Sequence, residues 1–168
     1  MEQWKWMATV VVSACLGAGA SIWVEQLSAA ARAPALTALD YQEITQLTNR
    51  YAYGIDTCAN NGYDYADVFT PDGVFNTNVG HDAIVKFADT FHAGLGSHVR
   101  HWNTNLMILP SPEGATGQVY LVLVDFATKP ATIVTSASYS DELVKTAQGW
   151  RFKKRATKGD AAPPKPPQ

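Results

Sequence analysis

The stretch Tyr65-Ala66-Asp67-Val68-Phe69-Thr70-Pro71-Asp72-Gly73-Val74-Phe75 decides how the rest of the chain is read. Its first residues complete a short helix predicted over Tyr63–Phe69. Thr70-Pro71-Asp72-Gly73 then has the chemistry of a tight turn, since proline presets φ and glycine tolerates positive φ. Val74-Phe75-Asn76-Thr77 begins a strand. A helix that turns directly into a strand points to a mixed fold in which both elements share one core.

Working outward toward the N-terminus, Asp40 stands before an apolar stripe and Glu43 follows three residues later, a capping-box-like start for a helix over Tyr41–Cys58. Ile44, Leu47, Tyr51 and Ile55 recur at three- and four-residue steps and share one face, which should pack on a sheet. The helix should stop before Asn60-Asn61-Gly62, whose residues accept left-handed angles. On the other side, Ile84, Phe87, Ala88 and Phe91 give helical spacing across His81–His92. From Ser97 the chain becomes extended and rich in β-branched and aromatic residues. Strands are predicted over Val99–Leu109, Gly117–Ala127, Ile133–Leu143 and Trp150–Thr157, joined by short turns as an antiparallel meander. Lys153-Lys154-Arg155, the one dense basic run, reads as a solvated strand edge. The order implies an α+β fold, a curved antiparallel sheet wrapped around a long N-terminal helix as a cone.

At 168 residues and 46% hydrophobic, the chain suits one domain, set at residues 39–158. Thirteen Lys and Arg against 15 Asp and Glu leave a net charge of -2, so no basic field exists to attract a phosphate backbone, and nucleic acid is not an expected partner. Residues 1–33 are different in kind. Trp6 to Val24 carries no charge, follows Lys5, and leads into Ser28-Ala29-Ala30-Ala31-Arg32-Ala33, which reads as a secretory signal with cleavage after Ala31 or Ala33. A retained membrane anchor and lipidation at Cys15 are the alternatives. Each leads to the same expectation, an exported domain, periplasmic or extracellular. Cleavage would leave Cys58 alone, so no internal disulfide is expected. Residues 159–168, ending in Pro163-Pro164-Lys165-Pro166-Pro167, read as a disordered polyproline-like tail.

Three quoted segments together resemble a known family. They are Ile44-xx-Leu47-xx-Arg50-Tyr51-xxxx-Asp56, the Tyr65–Phe75 stretch, and His101-x-Asn103-Thr104-Asn105. In this order they resemble the SnoaL-like branch of the nuclear transport factor 2-like superfamily, over nearly all of the core. The branch includes scytalone dehydratase, bile-acid 7α-dehydratases, limonene epoxide hydrolase, steroid isomerases, polyketide cyclases, formaldehyde-releasing diarylpropane lyases and non-catalytic binders. The resemblance implies a pocket for a small hydrophobic or aromatic molecule, and homo-dimers or trimers formed through the outer sheet face.

The same resemblance supplies site candidates. The Tyr51-to-Asp56 spacing is similar to that in bile-acid dehydratases, and His101 falls where dehydratases of this branch place a catalytic histidine. A tyrosine of ordinary pKa near ~10 can protonate a departing oxygen, and a histidine near ~6.5 can abstract a proton. Asp56 can orient the imidazole and stabilise its charged form. By strand alternation His101 shares a face with Val99, Asn103, Asn105 and Met107, unless a bulge shifts the register. Arg100 has the opposite parity and should face away, although beside His101 it would suit an oxyanion. Tyr120 stands roughly where the dehydratases carry a second polar catalytic group, with no His or Asp there; Asp125 lies five residues later. Arg100, Asn103, Asn105, Tyr120 and Tyr53 complete the substrate-binding candidates.

His81, His92 and His98 lack the spacing of zinc or iron ligands, so no metal is expected. No G-x-G-x-x-G, P-loop or G-x-S-x-G occurs, and the expected site is free of cofactors. Two functions compete: a cofactor-independent lyase of the dehydratase or formaldehyde-releasing type acting on a hydroxylated aromatic or polycyclic compound, and a binding or assembly module without chemistry. An isomerase or epoxide hydrolase is a third option on the same cone.

Overall fold

The computed structural model describes residues 35–160; the N-terminal apolar run and the prolyl tail lie outside the described residues. Helix α1 (Ala38–Thr57) leads through a 3-10 turn (Ala59–Gly62) into a single helical turn, α2 (Tyr63–Ala66). Strands β1 (Phe69–Phe75) and β2 (Asn78–Val79) precede helix α3 (His81–Leu95). Four long strands follow: β3 (Val99–Ser111), β4 (Gly114–Asp125), β5 (Thr132–Thr146) and β6 (Gly149–Gly159). One open six-stranded sheet in the order β2-β1-β6-β5-β4-β3 curves around α1. The meander is antiparallel as predicted, but the sheet is mixed, because β1 runs parallel to β6. The chain leaves β1 by way of α3 and returns through the whole meander, and such a crossover brings a strand back in the same direction. No helix among the described residues is long and apolar enough to cross a membrane.

The cap of α1 differs from the predicted one. Thr37 is the N-cap, and Asp40 closes the capping box from inside the first turn. Asp40 does more than cap. One carboxylate oxygen accepts from Thr37, while the other accepts from Lys145 Nζ at 2.7 Å and from Trp150 Nε1 at 3.0 Å. The start of the helix is thereby tied to β5 and β6. The Lys145 ammonium, with Thr37 and Trp150, holds the Asp40 carboxyl well below the usual carboxylate range. The Thr70–Gly73 segment, predicted as a turn, lies within β1, where the register against β6 shifts between Phe69 and Val74. β6 runs to Gly159, paired with Ala137, so the ladder continues past the predicted strand end and into the predicted tail.

Two bulges change which residues face inward. In β6, Phe152 pairs with Leu143 and Lys154 with Glu142, leaving Lys153 as an extra residue. A one-residue insertion reverses alternation beyond it. Arg155 therefore points into the core, where it is fully buried, and β6 lies between β1 and β5. This corrects the reading of Lys153-Lys154-Arg155 as an edge: Lys153 and Lys154 are exposed, but Arg155 is a core residue on an interior strand. Its Nε and Nη2 donate to the two oxygens of Asp141, each at 2.7 Å, and its guanidinium packs on the rings of Tyr51, Tyr139 and Phe152 at 4.1–4.4 Å. Burial alone would lower the arginine's pKa, but the Asp141 carboxylate outweighs it and holds the value above the ordinary one.

Two outcomes test this account. Arg155→Met strands a buried carboxylate and should lower the unfolding free energy by about 3–5 kcal/mol, whereas Arg155→Met with Asp141→Leu should recover most of the loss. Urea unfolding measures both. Asp40 has a folded pKa below its unfolded one, so its contribution is complete above the unfolded value of about 3.9 and is lost as the pH falls below it. Thermal midpoints between about pH 4 and pH 2 should therefore drop less steeply in Asp40→Asn than in the parent.

Candidate active site

The C-terminal end of α1 meets the first residues of β3, and a carboxylate joins them. Asp56, on the last turn of the helix, accepts from His101 twice: from the backbone N–H, at 3.0 and 3.2 Å to its two oxygens, and from the ring at Nδ1, 2.5 Å from Oδ1. Both residues are buried. A carboxylate near a helix C-terminus opposes the helix dipole, and these hydrogen bonds are the compensation. An ionised carboxylate can only accept, so Nδ1 carries the proton and Nε2 is the ring nitrogen left to accept one. The Phe91 ring of α3 lies 5.4 Å from the imidazole, and Tyr51 stands edge-on at 6.5 Å.

Asn103 is the next inward residue of β3. Both polar atoms of its side chain are buried without a hydrogen-bond partner among the described residues. Buried amides are rarely left unpaired, so this carboxamide presents a free donor and a free acceptor beside the dyad. The cross-strand neighbours of His101 and Asn103 on β4 are Leu123 and Leu121, both buried. Leu106 and Ile108 of β3, and Phe87 and Phe91 of α3, are each partly buried against the core. The result is an apolar wall with one His–Asp pair and one amide set into it.

The other predicted residues are placed elsewhere, for physical reasons. Asn105 has φ 55 and marks a bulge, since Thr104 pairs with Tyr120 but Met107 with Gln118. Alternation reverses there, which turns Asn105 and Met107 outward and brings in Leu106 and Ile108. Asn105 is thus removed from the inner face, and the parity drawn from His101 holds only as far as Asn103. An asparagine before the run Leu106-Met107-Ile108-Leu109 was the signal for this bulge, since asparagine tolerates the left-handed region. Tyr120, 60% exposed, faces outward on β4, away from His101. Arg100 also faces outward, and its Nη1 donates to the carbonyls of Ser97 and Val99. Tyr53, 74% exposed, lies on the opposite side of α1.

Tyr51 is in the core. Its hydroxyl accepts from Tyr65 at 3.3 Å, and its ring packs on Tyr139, Phe152 and the Arg155 guanidinium. Burial, reinforced by Tyr65, pushes its pKa well above the ordinary value, so the hydroxyl stays protonated. Tyr65, Tyr139 and the Arg155–Asp141 pair went unnoticed as neighbours because only the folded sheet brings them together. Among the described residues no three His, Cys, Asp or Glu side chains cluster as metal ligands would.

The sequence profile of the SnoaL-like domain matches residues 36–156. The chain belongs to the SnoaL-like family. Solved structures agree on the fold. A variant of Rv3472, a protein of unknown function from Mycobacterium tuberculosis, is 28% identical over 75% of this chain and 79% of its own, with a TM-score of 0.66. A Catenulispora acidiphila protein in complex with S-DNPA is 28% identical over 73% of this chain and 95% of its own, with a TM-score of 0.63. ActVI-ORFA from Streptomyces coelicolor, 23% identical over 74% of this chain and 98% of its own, shares the fold with a TM-score of 0.64. No curated protein matches the chain.

Asp56→Ala would leave the His101 amide and Nδ1–H unpaired in the interior, and should lower the unfolding free energy by about 1–3 kcal/mol. In nitrogen-resolved NMR, the His101 Nδ1 proton, held against Asp56, should appear strongly downfield. That signal should vanish in Asp56→Ala.

Proposed function

We propose that this SnoaL-like domain is a cofactor-independent lyase acting on a small hydroxylated aromatic or polycyclic molecule. The observation that supports it is the buried Asp56–His101 pair, with Nδ1 tethered and Nε2 left to act. In an elimination, His101 Nε2 takes a proton from the carbon next to the one bearing the hydroxyl. The C–H electrons form the double bond as the C–O bond breaks, and the departing oxygen leaves as water once protonated. Asp56 holds the ring and stabilises the imidazolium that forms. The departing oxygen takes its proton back from the imidazolium at Nε2, and Asn103 fixes a substrate oxygen, while Tyr51 packs edge-on to the imidazole and seats the helix that carries Asp56. The apolar surroundings of His101, Phe91 with Leu121 and Leu123, suit a hydrophobic body. The relative in complex with S-DNPA is consistent with a small-molecule ligand. Export by the N-terminal segment and assembly as a dimer or trimer belong to the same proposal.

One observation favours a second reading, a binding module without chemistry. Leu121 and Leu123 face the dyad from β4, so no second titratable group meets His101 from that strand. Turnover separates the two. With a panel of hydroxylated aromatics and sterols, the lyase reading expects a product of lower mass. It also expects a loss of about 10²–10⁴-fold in kcat for His101→Ala and a smaller loss for Tyr51→Phe. Binding without turnover, or turnover indifferent to His101→Ala, supports the binding module instead.

A further inference from the structure

A second concavity lies on the far side of α1, apart from the Asp56–His101 pair. It is a groove of about 430 Å³ between the outward stripe of α1 and β6, lined by Arg50, Tyr53, Thr57, Asp64, Asp67 and Arg151. Its floor is backbone: a side chain at Gly54 would come within 2.9 Å of the Tyr65 Cα, so α1 and α2 close on each other there without filling the groove.

Its charges are arranged unusually. Among the described residues neither Arg50 nor Arg151 has a carboxylate within ion-pair distance. Arg151 Nη1 donates to the Gln148 and Trp150 carbonyls, which fixes the guanidinium and leaves its other donors unused. Arg50 has no hydrogen bond to a described residue. Desolvation, and then the nearby charge of Arg50, push the Arg151 pKa down, and Asp67 offsets this only in part. Asp67 itself is taken up by His81 Nε2 at 2.8 Å. Two guanidinium groups that line one groove, neither of them ion-paired among the described residues, offer planar donor forks that match a carboxylate. Tyr53 supplies an exposed ring on the same wall, a stacking surface for a flat ligand. Asp64 offers an acceptor to a hydroxyl at the ligand's other end.

We propose that this groove binds a small hydroxylated aromatic carboxylate, with the carboxylate between Arg50 and Arg151 and the ring against Tyr53. The site stands independently of the chemistry assigned to His101.

The test is calorimetric titration of the full chain with 4-hydroxybenzoate, and with its uncharged isostere 4-hydroxybenzamide, at low and moderate salt. Saturable binding of the acid is expected, at least tenfold tighter than the amide and weakened by salt. Arg50→Gln and Arg151→Gln should each weaken it by at least about tenfold, the loss expected for a charge-assisted hydrogen bond. Tyr53→Ala should weaken it as well, and His101→Ala should leave it unchanged. Arg50 and Tyr53 are exposed, so their variants are expected to fold, and thermal unfolding confirms it. Failure of the acid to bind at millimolar concentration overturns the proposal. So does equal binding of acid and amide, or binding indifferent to both arginine variants. Binding lost in His101→Ala but kept in the arginine variants would move the ligand to the interior and overturn it too.

Discussion

A charged guanidinium in the middle of the core constrains nearly everything around it. Arg155 is fully buried, and a charge in that position survives only when paired and hydrogen-bonded. Asp141 must therefore be opposite it, which fixes the register of β5 against β6 to the residue, because a slip by one would turn the carboxylate to solvent. The bulge at Lys153 is part of the same constraint, since without it Arg155 would point outward. The faces of Tyr51, Tyr139 and Phe152 close the remaining sides of the guanidinium, and Tyr51 carries the constraint from the sheet to α1.

Apolar contacts hold α1 on the sheet but give it little orientation, because burial of area is non-directional. Direction comes from three polar attachments spaced along the helix. Asp40 joins its first turn to Lys145 and Trp150, Tyr51 seats its middle on Arg155, and Asp56 ties its last turn to His101. Sliding or rotating the helix would break all three at once. The imidazole is consequently held by the position of the entire helix as well as by one hydrogen bond, which is the kind of support that keeps a reacting nitrogen within a fraction of an ångström of its place.

What the sequence disclosed follows from which signals are local. The apolar stripe Ile44, Leu47, Tyr51, Ile55 is a helical period, and all four side chains are buried as read. The antiparallel meander of the last four strands was legible from turn residues and β-branched runs, but the parallel seat of β1 beside β6 was not. Asp56, awkward against the helix dipole, pointed to a partner, and His101 is that partner. The misplacement of Asn105 and of Arg155 has one cause. Alternation along β3 and β6 was carried past Asn105 and Lys153, where each strand holds one extra residue, so Asn105 was placed inside and Arg155 outside. A bulge is a property of two strands in register, and a single strand's sequence records it only faintly.

The chemistry of the dyad depends on the same geometry. A His–Asp pair in water is a weak base of ordinary strength; against Leu121, Leu123 and the Phe91 ring, electrostatic interactions act through fewer intervening waters and each hydrogen bond counts for more. The imidazolium formed on proton abstraction would be intolerable there without Asp56, and Asp56 would be unpaired there without His101. Each residue makes the burial of the other possible. Asn103 fits the same logic from the other direction. Its amide has given up water without gaining a protein partner, and the missing hydrogen bonds are ones that a bound molecule with an oxygen near His101 can provide. That unmet hydrogen-bonding capacity, next to the tethered imidazole, is what the proposed lyase reading draws on.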